Sequence, residues 1–404
     1  MLLMINLDII YGHSIKQIHG LNLVTDMFVQ GKGILSENDI FLKHIYSSEG
    51  ILNCTNIDTI FDNTEKRKNT EKRKSFKSCL IDFAKSKNVF FEFIRFYIRN
   101  FIPAKKTIRY YLKHNDSDCI IFQDFITAYL YFKKKNISHN RSILIMHTSG
   151  DFLELLKIDK PMLYKNVFFK KHYIRMFDLA AKNVDKLVVL SKTASESFPW
   201  IEENKKVIIY NGIKESTYQS LDSMCFEDKR MKIVSVGHLI KRKGQHLIIE
   251  AISKLKNESQ RKLSLFLVGE GTDRSYYENL ILKFNLQNNV FILGQRKDVP
   301  FLLLNMDVFI LASYSEGLPI SIIEALRAGL YIMTTPVGGC TELIKSDFGE
   351  FIDTNAEQIA TALEKLIDEG IPETSSLKAK QFFKQNFTLN KMMENYAKTI
   401  HEIL

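Results

Sequence analysis

From Met231 onward, short β-rich apolar runs alternate with stretches of helical period. KIVSVG (Lys232 to Gly237) predicts a buried strand, and the GQHLIIEAISKL that follows places Leu247, Ile248, Ala251, Ile252 and Leu255 on one helical face. LSLFLVG is the next strand, followed by an amphipathic stretch from Asp273 to Phe284. VFILG, PFLLLN, VFILAS, PISIIEALRAG and YIMTT continue the alternation. These strand runs lack an in/out alternation, which means burial on both faces, as in a parallel sheet covered by helices. Alternating β and α units of this kind predict a doubly wound α/β domain.

The first half is looser but similar. Its strand candidates are LLMINLDII, IFLKHIYSS, DCIIFQ, SILIMHT, KLVVLS and KVIIYNG. They predict a first α/β domain over residues 1–212. The polar, aperiodic segment up to Arg230 reads as a linker into a second domain over 213–387. The last segment, 388–404, is helical in pattern, with Met392, Met393, Tyr396, Ala397, Ile400 and Ile403 in phase.

The length of 404 residues fits two or three domains at roughly 150 residues each. With 45% hydrophobic and 25% charged residues, wholesale disorder is excluded. No uncharged apolar run reaches the roughly 20 residues that cross a bilayer. The opening MLLMINLDIIYG lacks a basic start and reads as a strand rather than a signal peptide. The five cysteines are widely spaced with no CxxC pair, which argues against a disulfide framework or a zinc site and fits a reducing cytosol.

The net charge of +10 is local. Residues 64–113 hold 15 basic and 4 acidic residues, including the doubled TEKRK motif, so the remainder is nearly neutral. Within this stretch Phe90, Phe91, Phe93, Phe96, Tyr97, Phe101, Tyr110 and Tyr111 interleave with Arg95, Arg99, Lys105, Lys106 and Arg109. Two readings stand: a surface that meets anionic lipid headgroups, or a helix packed on the first domain with its basic face in water.

Candidate chemistry concentrates in the second half. In SEGLPISIIEALRAG, Glu316 and Glu324 lie eight apart, with Glu316 in the loop after strand VFILAS. The carboxyl ends of strands are where open α/β sheets bind ligands. Pro319 suits the first helical position, and the helix start offers free N–H groups to a phosphate. The plain alternative is a loop carboxylate and a helix-favouring glutamate. GHLIKRKG clusters Lys241, Arg242 and Lys243 at another strand end, where fixed positive charge would meet a leaving diphosphate; an exposed basic loop is the alternative. Gly269 and Gly271, Gly338 and Gly339, and His147 after SILIMHT are weaker signals, each with a structural reading as a turn or a strand-end histidine.

Together these elements resemble the retaining glycosyltransferases of family 4, which have the GT-B fold. The resemblance is dense over VGHLIKRKG, LFLVGEG, MDVFILASYSEGLPISIIEALRAG and TTPVGGCTELI, and thinner through DKLVVLSK and VIIYNGI. It implies two facing Rossmann-like domains with parallel sheets and a C-terminal helix returning to the N-terminal domain. It implies a nucleotide-sugar donor bound by the C-terminal domain and a glycan or lipid-linked saccharide acceptor bound mostly by the N-terminal domain. Glu324 would bond the ribose hydroxyls, and Glu316 would contact the donor sugar. The backbone of Gly317, Leu318, Pro319 and Ile320 would lie near the sugar and diphosphate. Lys243, with Arg242, would neutralise the diphosphate, Gln295 and Arg296 would lie beside the base, and His147 would face the sugar. Transfer would retain anomeric configuration, without a metal, a cofactor or a nucleic-acid partner, in the cytoplasm or at the inner face of the plasma membrane. Bacterial surface polysaccharide, such as O-antigen or capsule, is the expected product.

Two positions depart from the family pattern. His238 stands where an arginine is usual, and YGHSIKQIHG replaces the usual glycine pair after the first strand. A sugar-nucleotide epimerase of the same fold, a nucleic-acid-binding protein using the basic patch, which no recognised nucleic-acid module accompanies, and an inactive partner subunit are the competing readings.

Overall fold

The computed structural model describes residues 4–13, 20–55, 89–114, 116–134, 140–148, 152–215 and 230–404. The doubled TEKRK motif, the first half of the basic stretch and most of the expected linker lie outside the described residues. The chain divides into two compact units, Met1–Tyr210 with Leu389–Leu404, and Asn211–Thr388.

The first unit is built on a seven-stranded sheet: β1 (Ile5–Ile10), β2 (Ile40–Ser47), β3 (Gly50–Asn53), β4 (Cys119–Phe122), β5 (Arg141–Met146), β6 (Lys186–Val189) and β7 (Lys206–Ile208). Their spatial order is β3-β2-β1-β4-β5-β6-β7. Every neighbouring pair is parallel except β2 and β3. The six long apolar runs became strands, and β4 is buried along its whole length, as a centrally placed parallel strand must be. The antiparallel edge strand β3 was not expected. It has only four residues of alternating partial exposure, too few to register as an apolar run.

Aromatic rings dominate this unit's core. Phe177 stacks on Phe152 at 4.5 Å and on Phe198 at 5.1 Å between centroids. Burying each such ring contributes about 1.5–3 kcal/mol. The terminal helix Leu389–Ile403 packs here through the residues its pattern singled out, all of which are buried. Tyr396 lies 4.6 Å from Phe28, and His401 Nε2 is 2.9 Å from the Asn38 carbonyl.

The basic aromatic stretch is helical over Val89–Phe96 and Ile102–His114, joined by a π-helical turn at Tyr97–Phe101. Pro103 explains that turn. It has no N–H to return to the preceding turn, so the helix widens just before it. Phe96, Ala104, Ile108 and Tyr111 face the core, while Phe90, Phe91, Phe93 and Ile94 stay exposed.

The second unit carries β8 (Met231–Val236), β9 (Leu263–Val268), β10 (Val290–Gly294), β11 (Val308–Leu311), β12 (Tyr331–Thr334) and β13 (Gly349–Phe351). Their order is β10-β9-β8-β11-β12-β13, parallel throughout. This is a doubly wound sheet whose winding reverses between β8 and β11, the position where such folds leave a crevice at the strands' carboxyl ends. All six residues of β9 are buried, which explains its unbroken apolar run.

Candidate active site

The reversal point of the second unit brings two sequence-distant loops together. After β8 the chain makes a single 3-10 turn at Lys241–Lys243 and bends at Gly244, with φ +70°. A Cβ at Gly244 would stand 1.9 Å from the Ala312 carbonyl oxygen, so only glycine lets this loop lie against the one after β11. The Tyr314 N–H donates to the Arg242 carbonyl at 2.9 Å, and the Arg242 guanidinium donates to the Ser315 carbonyl at 2.7 Å.

Within this seam Lys243 Nζ donates to Glu316 Oε1 at 2.6 Å, and Ser313 Oγ donates to the same oxygen at 2.5 Å. The Glu316 side chain is 7% exposed and that of Lys243 14%. Burial pushes the Glu316 carboxyl up, but Lys243, Arg242 and the hydrogen bonds from Lys243 and Ser313 outweigh it and hold it below the usual glutamate range. A buried ion pair is a poor source of net stability, because removing both charges from water costs several kcal/mol. Its place at the sheet's reversal point therefore reads as preparation for a charged ligand. An ammonium carries three donors, and Glu316 uses one of Lys243's.

The helix Ile320–Ala328 begins beside Glu316. Pro319 is its N-cap rather than its first helical residue: at ψ 114° it is extended, and its carbonyl accepts from Ile322 N at 3.1 Å. Its N-cap, Pro319, supplies no side-chain cap, and an uncapped helix start suits an anion. The loop before it is held from two sides. Gly339 N–H donates to the Gly317 carbonyl at 2.7 Å, and the buried Asn211 donates from Nδ2 to the Leu318 carbonyl at 3.3 Å. Asn211 had drawn no notice in the sequence.

Glu324 lies in this helix, half-buried and without a hydrogen bond to any described residue. Burial raises its pKa to about 7, with Arg327 pulling the other way. His238 is exposed, with Nδ1 3.3 Å from the Glu270 carbonyl. Gln295 is exposed too, and Arg296 is engaged by Asp298, with Nε–Oδ1 at 2.8 Å. The structure thus joins Lys243, Arg242 and Glu316 through direct contacts around the loop leading into the helix. Gln295 and Arg296 stand apart, after β10.

The first unit has its own reversal point, between β1 and β4. Asp124 caps the helix Phe125–Phe132 through Oδ1, which accepts from Thr127 N at 2.8 Å, and its Oδ2 accepts from Gly12 N at 3.0 Å. A Cβ on Gly12 would meet Thr127 Oγ1 at 2.4 Å, so this single glycine lets the chain after β1 lie close to the helix start, although the usual pair is missing. His147 follows β5, with Nε2 2.7 Å from Gln123 Oε1. Burial lowers its pKa to about 3, so the ring is neutral across the physiological range.

Among the described residues one group could hold a metal ion: Asp8, His44 and Asp116, whose ligand atoms lie within 4.8 Å of one another. Asp116 is already paired with Lys43. It precedes β4, whereas Gly12 and Gln123 follow the carboxyl ends of β1 and β4. Among the described residues no helix is long and apolar enough to cross a membrane.

Comparison with known proteins places the segment around this site and the fold. A family model described as glycosyl transferases group 1 matches residues 223–385. An uncharacterized glycosyltransferase of Methanocaldococcus jannaschii is 27% identical over 299 residues, 69% of this chain and 71% of that protein. The O-antigen biosynthesis glycosyltransferase WclY of Escherichia coli is 25% identical over 226 residues, 54% of this chain and 62% of that protein. In three dimensions the chain is similar to Anabaena Alr3699/HepE, solved in complex with UDP. The TM-score is 0.70 at 16% identity, covering 99% of this chain and 100% of that one. The reversal point carrying Lys243 and Glu316 therefore lies in the segment, residues 223–385, that the glycosyl transferases group 1 model matches, within a chain of GT-B fold.

Proposed function

We propose that this chain is a metal-independent, retaining glycosyltransferase. It moves a sugar from a nucleotide-sugar donor to a glycan or lipid-linked saccharide acceptor in the building of a bacterial surface polysaccharide. The observation that carries this reading is the buried Lys243–Glu316 pair beside the uncapped start of the helix Ile320–Ala328. The complexes of Alr3699/HepE with UDP and glucose support a nucleotide-sugar donor, and the O-antigen role of WclY supports the product class.

The chemistry follows from charge. As the sugar–phosphate bond breaks, negative charge grows on the departing diphosphate. The helix-start amides and Lys243 are already oriented to receive it, so little reorganisation is needed during the step. Glu316, kept ionised by Lys243 and Arg242, is suited to accept from hydroxyls of the donor sugar and to favour the positive charge that develops at its anomeric carbon. Glu324 is suited to accept from ribose hydroxyls. The departing phosphate takes the acceptor hydroxyl's proton, and the new bond forms on the face the diphosphate leaves. A hydrolysis and transfer screen across UDP-, GDP- and ADP-sugars tests the reading. Turnover of one donor that is lost in Glu324→Ala, with the fold unchanged by circular dichroism, is the expected result. Full activity in that variant would overturn the site assignment.

Membrane contact belongs to the same proposal. Phe90 is 63% exposed, and beside its helix Val167 and Phe168 are 69% and 87% exposed. Phe93 sits 6.0 Å from Phe169, so the two helix starts form one aromatic surface next to Arg95 and Arg99. Such a surface suits the interface of an anionic bilayer, where a lipid-linked acceptor resides. Co-sedimentation with phosphatidylglycerol vesicles, reduced by salt and by Phe168→Ser, is expected. No binding at low salt removes this part.

A further inference from the structure

Asp8 stands within β1 and is fully buried. Its Oδ1 accepts from the His44 N–H at 3.1 Å, and its Oδ2 has no hydrogen-bond partner among the described residues. His44 Nδ1 lies 3.4 Å from Asp8 Oδ1 and makes no hydrogen bond there either. Tyr46 Oη is in the same condition, and its ring meets the His44 ring edge-on at 5.8 Å. Buried polar atoms nearly always find partners, yet three without one gather here on two neighbouring strands. Burial raises the Asp8 pKa to about 6 against the pull of His44 and Ser117, so this carboxylate lacks a full counter-charge.

A break in strand register builds the cluster. Leu7 pairs with Leu42, but the next residue, Asp8, pairs with His44. Lys43 is the extra residue, and such a bulge re-aims the side chains around it. It sets an imidazole rather than an ammonium beside the buried carboxylate. The Lys43 ammonium pairs instead with Asp116, whose side chain is 56% exposed in the segment before β4. The ligand atoms of Asp8, His44 and Asp116 all lie within 4.8 Å of one another. Bonds of about 2.0–2.2 Å in a tetrahedral zinc site put neighbouring ligand atoms about 3.4 Å apart. Asp8 Oδ1 and His44 Nδ1 already have that spacing. Asp116 is exposed and free to close the rest, giving up only a surface ion pair of a kind that contributes little.

We propose that Asp8, His44 and Asp116 bind one divalent cation of the zinc class, with solvent in the fourth position, and that the ion ties β1, β2 and the segment before β4 together. Two carboxylates neutralise its charge, and one imidazole favours it over magnesium, which takes oxygen ligands in a strict octahedron. Asp116 precedes β4, at the opposite end of that strand from the crevice, so the ion takes no part in sugar transfer. The site is independent of the glycosyltransferase reading.

Calorimetric titration of the full-length chain, stripped with EDTA, tests it with zinc chloride as the probe. One equivalent should bind and raise the melting temperature as zinc is added. Asp116→Asn changes an exposed residue, so the fold should survive while zinc affinity falls at least about 10–100-fold, the loss that even an outer-sphere partner causes. His44→Gln should act in the same direction. Lys43→Met releases Asp116 and should tighten binding about 2–5-fold, the worth of a surface ion pair. Cobalt(II) in place of zinc should give the visible absorption of a tetrahedral nitrogen–oxygen site, and His44→Gln should abolish it. Magnesium chloride at equal concentration should not compete, and competition would overturn the zinc-class assignment. A wild type that binds no equivalent of zinc overturns the site. Binding that Asp116→Asn and His44→Gln both leave unchanged is an adventitious ion only and overturns it as well.

Discussion

The two reversal points share a backbone plan and differ in charge. Each follows a central parallel strand, β1 or β8, and each has a glycine where two segments touch, Gly12 or Gly244. In the second unit the side chains at that seam are ionised, with Lys243 on Glu316 and Arg242 on the Ser315 carbonyl. In the first, beyond the Asp124 cap, they are neutral: Gln123 on a His147 whose pKa burial has lowered. Topology supplies a crevice in both cases, and the side chains decide what it can hold. Fixed charges suit a departing diphosphate, whereas a neutral amide–imidazole pair does not.

Deleting the charge at the second reversal point should have the largest effect. Lys243→Met should lower kcat by about 10²–10³-fold, the loss typical for one preorganised donor to a developing anion. It should also cost about 3–5 kcal/mol of stability, because Glu316 is left buried without its cation. Glu316→Gln in the same chain removes that stranded charge. The double variant should recover most of the melting temperature while staying inactive. Denaturant melts and single-turnover transfer assays separate the two quantities. A double variant as unstable as Lys243→Met would show that the pair does more for the fold than for the ligand.

Substitutions at the two glycines should rank in the same direction with smaller effects. In Gly244→Ala the new methyl meets a backbone carbonyl at 1.9 Å and must adopt φ +70°, so about 1–3 kcal/mol should be lost from the second unit. In Gly12→Ala the methyl meets the ends of the Thr127 and Asp124 side chains, at 2.4 and 2.7 Å. Side-chain ends yield more readily than backbone, so the loss should be smaller. Equal losses in urea titrations would show that the first seam is as rigid as the second.

The same contrast explains what could be read from the sequence. Charged residues beside glycines at strand ends stand out, so Lys243 and Glu316 drew attention in the sequence, and Glu324 did through its spacing from Glu316; the strands of the second unit were legible from their unbroken apolar runs. The contact of Lys243 with Glu316 was not, since 73 residues separate them and only the sheet order brings them together. Gln123 carries no charge and no motif. Asp124 and Asn211 act through backbone contacts that depend on folding, and the four-residue strand β3 is too short to show a period. Pro319 illustrates a boundary ambiguity: the residue fits the cap as well as the first turn, and its ψ of 114° decides.

Glu324 supplies the smallest and most quantitative test. Burial raises its pKa to about 7, above the 4.5 of an ordinary glutamate. A raised carboxyl destabilises the fold as pH rises through the interval between those values, so the second unit should lose stability from pH 4.5 toward 7 on this account. Donor binding should run the opposite way. Ribose hydroxyls bond more strongly to a carboxylate than to a carboxylic acid, so KM for the donor should fall as pH rises through about 7. If only the ionised form binds well, the change between pH 6 and pH 8 is about tenfold. Glu324→Gln should bind more weakly and show no such slope, because its amide does not titrate. No comparable slope should come from His147, which stays neutral over the same interval. A donor KM that varied with pH equally in wild type and Glu324→Gln would assign the titration to another group and remove Glu324 from the ribose.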